Sequence, residues 1–285
     1  LNIPIAIYVL SMGWKIIPNN KNIQINSFDW KGILFLSLFV TSIALSLTMV
    51  DEKDVLWSIL NIKVLSLVFI AALSLLIFIF IEKKASSPII KLSLFNIKQI
   101  RLIMGLGFGL GVVQSSFVFL PDMAMHQFNL SVAKAGMMLF PALIAIALGS
   151  PVTGKLLDKI GPKPVVILGL ILSGIGLFLF GFELSNAWLF YVAGFIFGLG
   201  LSMLVGPTLR YIMMNEVDIS YRTVSQGLLT MVMSIGQIVG SSFIGTLSNH
   251  GYGITFYVLS FLSILLLLLA FRLHNIYGKR IVDEA

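Results

Sequence analysis

Residues Gly154-Lys155-Leu156-Leu157-Asp158-Lys159-Ile160-Gly161-Pro162-Lys163 form a short charged segment between two long apolar runs, Met137 to Val152 and Val165 to Phe182. A segment of this kind is expected as a tight loop at the membrane surface, joining two spanning helices. Gly154 and Gly161 permit close helix approach and a sharp turn, and Pro162 suits the first turn of the helix that follows. Asp158 is placed to cap that second helix or to pair with a neighbouring basic residue. Such a contact can hold one face of a moving protein shut and release it when its parts rock.

Outward from this segment the chain remains apolar. It is 58% hydrophobic and 11% charged, with a mean hydropathy of +1.01, against about 25% charged residues in soluble domains. Lipid is therefore the expected solvent. The absence of cysteine excludes a disulfide framework, thiolate catalysis and cysteine metal sites. The net charge of +7 does not point to nucleic acid, because the basic residues lie in short clusters between apolar spans, as topology requires.

A helix crossing roughly 30 Å of hydrocarbon needs about 20 residues. That length predicts spans at Trp30 to Val50, Ile62 to Ile81, Leu102 to Pro121, Ala133 to Val152, Val165 to Phe182, Ala187 to Leu209, Thr223 to Leu247 and Tyr252 to Phe271. Leu1 to Ile17 adds a short ninth, so the expectation is an all-α polytopic membrane protein of about nine transmembrane helices. All but three of the 19 Lys and Arg residues fall in one set of alternate loops, the exceptions being Lys53, Lys63 and Lys134. The basic set is expected in the cytoplasm together with the C-terminus. Nine spans would then place Leu1 outside, and an odd number of spans upstream would restore an ordinary topology. The segment from Glu82 to Arg101 carries five basic residues beside Ile89, Ile90, Leu92, Leu94 and Phe95. It reads either as an interfacial helix on the anionic leaflet or as a solvated connector.

The central pattern, a glycine, then leucine, Asp158-Lys159, Gly161 and the basic Lys163, resembles the signature loop of the major facilitator superfamily, in its C-terminal-half copy. Three further stretches resemble the fourteen-span drug:proton antiporter branch. Asn2-Ile3-Pro4-Ile5 is similar to the start of span six, with Ala6 in place of a glycine. Phe28-Asp29-Trp30-Lys31-Gly32 is similar to the start of the first of two extra spans, and Gly227, Gly236 and Gly240 match the glycine spacing of the penultimate span. Pro162 stands where the loop more often has a basic residue, and Met233 where the penultimate span often has arginine.

The resemblance implies a domain plan: residues 1–17 as a remnant of span six, 18–100 as two extra spans and a basic linker, 101–272 as the C-terminal six-helix bundle, and 273–285 as a cytoplasmic tail. It implies a multi-pass protein of a prokaryotic cell membrane, whose partners are the bilayer, a small-molecule substrate and an N-terminal half missing from this chain. It also implies export of drugs or other amphipathic compounds by alternating access, with a proton gradient as energy source and no cofactor or metal. The fragment alone is then expected to be inactive. Two rival readings remain: an exporter of one metabolite, peptide or antibiotic, and a membrane sensor or scaffold that binds without transporting.

Within the spans, Ser115, Asp122 and His126 lie within about 20° of one line on a helix. With Gln114 they form the candidate proton or substrate site, because a carboxylate at membrane depth is costly. The topology also puts Asp122 at the outer end of its span, where hydration lowers that cost. Gln226 and Gln237 are further polar groups that line a path or bond to neighbouring helices. Glycines four apart, Gly105 and Gly109, Gly107 and Gly111, Gly194 and Gly198, Gly236 and Gly240, are expected to pack helices closely. No His-Glu-x-x-His, phosphate loop or Gly-x-Ser-x-Gly elbow occurs, so an enzyme is not expected.

Overall fold

The computed structural model describes residues 2–16, 29–49, 60–84, 92–182, 186–249 and 251–274. Among them every regular element is helical. In chain order these are α1 (Asn2–Ile16), α2 (Trp30–Thr48), α3 (Ile62–Lys84), a 3-10 turn (Leu92–Asn96), α4 (Lys98–Phe128), α5 (Val132–Met137), α6 (Phe140–Ile160) and α7 (Pro162–Gly181), with a second short 3-10 turn (Ile219–Tyr221) later in the chain. Then follow α8 (Ala187–Val205), α9 (Pro207–Asn215), α10 (Arg222–Ser248) and α11 (Tyr252–Phe271). Taking α5 with α6 and α8 with α9, eight of these segments are long and apolar enough to cross a membrane. With 15 residues, α1 is shorter, about 22 Å at 1.5 Å per residue.

Local chemistry sets several helix ends. The Asp29 carboxylate accepts from the Gly32 N–H at 2.9 Å and caps α2, which gives the Asp-Trp-x-Gly stretch its physical role. Asn186 caps α8 by accepting from the Trp188 N–H at 2.9 Å. Beyond α4, Asn129 adopts φ +48° and closes the helix in the left-handed cap. Pro121 does not end α4, which continues to Phe128.

Two expected spans are broken. The segment from Val132 interrupts at Met138 and Leu139 before α6 begins. The Ala187 span breaks at Gly206, and α9 restarts with Pro207 at its first turn. In a continuous helix the Met203 carbonyl would accept from residue 207, but proline has no N–H. The buried Thr208 hydroxyl donates to that carbonyl instead, at 2.6 Å, so the break leaves no orphaned acceptor there. Of the basic linker, residues 85–91 lie outside the described residues. Leu94 on the 3-10 turn is buried in the core rather than laid on a membrane surface.

The bundle is built from four tight seams: α4 against α10, α6 against α8, α7 against α8, and α7 against α11. Side chains shrink to glycine where backbones meet. At the first seam a Cβ on Gly111 would collide with the Met233 carbonyl, and one on Gly236 with the Phe108 carbonyl. On Gly240 it would lie 2.7 Å from the Val112 Cα, and on Gly107 2.8 Å from the Leu229 Cδ1. All four glycines thus serve one interface, where close van der Waals contact replaces the missing hydrophobic drive. Gly109 faces Leu266 of α11, and Gly198 the Ala142 backbone of α6, whereas Gly105 meets nothing within 4 Å. Phe180, Phe190, Phe197 and Phe256 fill the junction of α7, α8 and α11. The α2–α3 pair packs on itself and touches α10, where the Ser242 hydroxyl donates to the Leu47 carbonyl at 3.4 Å.

Candidate functional site

The charged segment Gly154 to Lys163 is mostly helix. Helix α6 runs to Ile160, so Lys155, Leu156, Leu157, Asp158 and Lys159 occupy its last turns and Gly161 alone makes the turn, at φ +81°. This corrects the expected loop, and also the expected cap. Asp158 is exposed, and no side chain caps α7. The reason is directional: within the last turn of α6 its carboxylate lies at the wrong end of a helix to meet free N–H groups. Leu156 and Leu157 pack with Val165 and Met203, anchoring the segment to α7 and α8. The close approach expected of Gly154 is absent, since a Cβ there meets nothing within 4 Å. Lys163 does the joining: its Nζ donates to the Phe271 carbonyl at the end of α11, at 2.7 Å. Nearby, the His274 N–H donates to Gln99 Oε1 of α4 at 3.2 Å, so two other helix starts hold the end of the final span.

The Ser115–Asp122–His126 stripe divides between two spaces. Gln114 and Ser115 border a cavity of about 360 Å³ with Phe117 and Val118, facing Ile146 of α6, Leu201 and Val205 of α8, and Gln237 and Ser241 of α10. The Ser115 hydroxyl donates to its own helix at the Val112 carbonyl, 2.7 Å away, and Ser241 to the Gln237 carbonyl at 2.8 Å. Each hydroxyl is satisfied locally yet keeps lone pairs for a bound molecule. The result is an apolar chamber with a few polar groups on one side, the usual composition of a small-molecule site.

Asp122 and His126 lie about 10 Å and more along α4 from Ser115, from the helical rise. There the Tyr252 hydroxyl of α11 donates to Asp122 Oδ2, His126 Nε2 stands 3.7 Å from Asp122 Oδ1, and the His126 ring stacks on Tyr252 at 6.2 Å. Both side chains are well exposed, 50% for Asp122 and 72% for His126. Tyr252 escaped the sequence reading because 130 residues separate it from Asp122. Ser241 escaped it too, although its position one turn after Gln237 was visible. Gln226 bonds to a neighbour, its Nε2 donating to the Arg210 carbonyl at 2.9 Å. Among the described residues no cluster of three or more His, Cys, Asp or Glu side chains forms a metal site.

Comparison with known proteins places this geometry. The chain is 28% identical over 240 residues to YfiU, an uncharacterised MFS-type transporter of Bacillus subtilis (strain 168), covering 83% of this chain and 46% of the relative. It is 26% identical over 256 residues to the multidrug transporter protein MdtP of the same organism, covering 89% of this chain and 47% of the relative. The chain therefore spans about half the length of these curated relatives. In fold it is similar to the crystal structure of the nucleoside transporter NupG, with a TM-score of 0.53 and 15% identity over 86% of this chain and 65% of that one. The family model of the Major Facilitator Superfamily matches residues 102–282. With more than half its length matched, from the start of α4 past the end of α11, the chain belongs to the major facilitator superfamily.

Proposed function

We propose that this chain is the C-terminal part of a secondary active exporter of drugs or other amphipathic compounds. The observation that carries the reading is the cavity between α4, α6, α8 and α10, apolar on most sides, with Gln114, Ser115, Gln237 and Ser241 on one wall. Few polar contacts among many apolar ones accept a range of greasy, partly polar solutes. The relatedness to a protein named as a multidrug transporter supports the same reading. The chain works with a preceding set of spans, by rocking of two bundles around a site shared between them. Proton inflow is the proposed energy source, and the basic helix ends with the C-terminus are proposed to lie in the cytoplasm. The segment Gly154 to Lys163 is proposed as the cytoplasmic element whose contacts change as the bundles rock.

The test uses the complete transporter in everted vesicles with an acidic interior, given a fluorescent amphipathic dye from outside. An imposed proton gradient is expected to drive dye movement, and Gln114→Leu with Gln237→Leu to slow it about tenfold, the effect of losing about 1.4 kcal/mol of binding. Competition by chemically unrelated dyes is expected. A transporter that ignores them handles one metabolite, and ligand binding without any proton-linked flux would refute transport altogether.

A further inference from the structure

Helices α7 and α11 leave a groove of about 280 Å³ between them, with Leu170, Gly174 and Phe178 of α7 and Ser260, Ile264 and Leu267 of α11 in its walls. It shares no lining residue with the cavity that holds Gln114 and Ser115. The hydroxyls in its walls are already satisfied, Ser260 donating to the Gly174 carbonyl at 2.9 Å and Ser263 to the Leu259 carbonyl at 3.2 Å. The groove therefore offers hydrocarbon contact and asks for no polar guest. Its rim is bundle surface, since Ile171, Phe178 and Ile264 are 41%, 48% and 52% exposed. For spanning helices the medium outside that rim is lipid.

Beyond one end of the groove stand two cations. On α7, Leu170, Gly174 and Phe178 all lie within about 60° of the direction of Lys163, at 3.6 residues per turn. At 1.5 Å per residue the groove starts about 10 Å from Lys163 and extends about 12 Å further. The sum, about 22 Å, is the depth of one leaflet from headgroup to midplane. Lys163 does not line the groove. Its Nζ reaches across from α7 to α11 past the groove's end, donating to the Phe271 carbonyl at 2.7 Å. That bond uses one of three ammonium donors and leaves two. Arg272 comes next in the chain and is exposed. Among the described residues, neither Lys163 nor Arg272 pairs with a carboxylate, and no Asp or Glu lines the groove.

We infer that the groove between α7 and α11 is a site for one anionic phospholipid, with an acyl chain along Leu170 to Phe178 and the phosphate at Lys163 and Arg272. The headgroup supplies the selectivity, because a chain that leaves lipid for the groove gains contact but no hydrophobic drive. A zwitterionic head carries its own cation beside the phosphate, so the two basic residues favour a net negative lipid. The inference does not rest on export through the central cavity, nor on which side of the membrane α7 begins.

The test reconstitutes the complete transporter in phosphatidylcholine vesicles with a trace of photoactivatable lipid, carrying a diazirine midway along one acyl chain. The probe is phosphatidylglycerol in one arm and phosphatidylcholine in the other. After illumination, labelled peptides are mapped by mass spectrometry. The anionic probe is expected to label the segments from Leu170 to Phe178 and from Ser260 to Leu267 at least about fivefold more than the neutral one, the factor for one basic residue at an anionic surface. Arg272→Gln is expected to cut labelling by the anionic probe about fivefold and leave the neutral probe unchanged. Lys31→Gln removes an equal charge from the start of α2 and should change neither. Gly174→Leu, which grows a side chain into the groove, should lower labelling there severalfold. Equal labelling by the two probes, anionic labelling indifferent to Arg272→Gln or equally sensitive to Lys31→Gln, or a groove that neither probe reaches because a second copy covers it, would overturn the site. Thermal unfolding checks that each variant is folded. Should Gly174→Leu not fold, the exposed Arg272→Gln variant decides by itself. Dye export is scored separately, so failure of the lipid site and failure of the export reading are distinct results.

Discussion

Lys163, in the first turn of α7, donates from Nζ to the carbonyl oxygen of Phe271, the last residue of α11, at 2.7 Å. The bond joins residues 108 apart in sequence. It also sets a positive charge at the negative end of α11, so dipole and hydrogen bond act together.

Removing it has a modest, measurable effect. Lys163→Met is predicted to lower stability by about 1 kcal/mol, because the contact is exposed to solvent. Lys163→Arg keeps a donor and should retain most of that stability. Thermal unfolding in a single detergent compares the three proteins.

The two glycines of the same segment should behave oppositely on replacement by alanine. Gly161 sits at φ +81°, ψ 170°, where a side chain costs about 1 to 3 kcal/mol. Gly154 is helical with open space beside it, so Gly154→Ala should stabilise by about 0.5 to 1 kcal/mol. Denaturant titration of both variants gives the two signs, and a matching sign would contradict the turn geometry.

At the α4–α10 seam, Gly111→Leu forces a side chain into the Met233 carbonyl and is predicted to cost about 3 kcal/mol or more, or to prevent folding. Gly105→Leu, on the same helix with nothing within 4 Å, should not lower stability and gains at most about 1 kcal/mol from helix propensity. The contrast is read by the yield of folded protein and by its unfolding midpoint.

Thr208→Val keeps the shape of the side chain and leaves the Met203 carbonyl without its donor. A loss of about 1 to 3 kcal/mol is expected for an unsatisfied buried acceptor. Thr208→Ser keeps the hydroxyl and should lose much less. Equal losses in the two variants would show that packing rather than the hydrogen bond matters at the break.

Hydropathy located the spans because burial in lipid demands long apolar runs. Tyr252–Phe271 coincides with its predicted bounds. The charged tail of α6 was harder, since a hydropathy window ends at Lys155 whereas nothing breaks the helix before Gly161. Pro207 advertised its break, but the 20-residue rule ran through it, because a membrane span tolerates a broken helix whose acceptors are satisfied elsewhere. The packing role of Gly107, Gly111, Gly236 and Gly240 was legible from their spacing. That all four meet at one seam was not, because spacing along one helix says nothing about its partner. The candidate site was half legible: Gln114, Ser115, Asp122 and His126 stood out as polar groups in apolar surroundings. Their division between two spaces depends on α11 arriving beside the end of α4, which no local pattern encodes.

The glycine seams also decide how the central chamber can change size. Gln114 and Ser115 sit on α4 and Gln237 and Ser241 on α10, two helices locked backbone to backbone at Gly111 and Gly236. The opposite side, Ile146 on α6 with Leu201 and Val205 on α8, belongs to another locked pair, sealed where Gly198 meets Ala142. The chamber is thus a gap between two stiff planks. Enlarging the chamber would require sliding or parting the planks, while the spacing of the polar groups on their own plank would stay fixed.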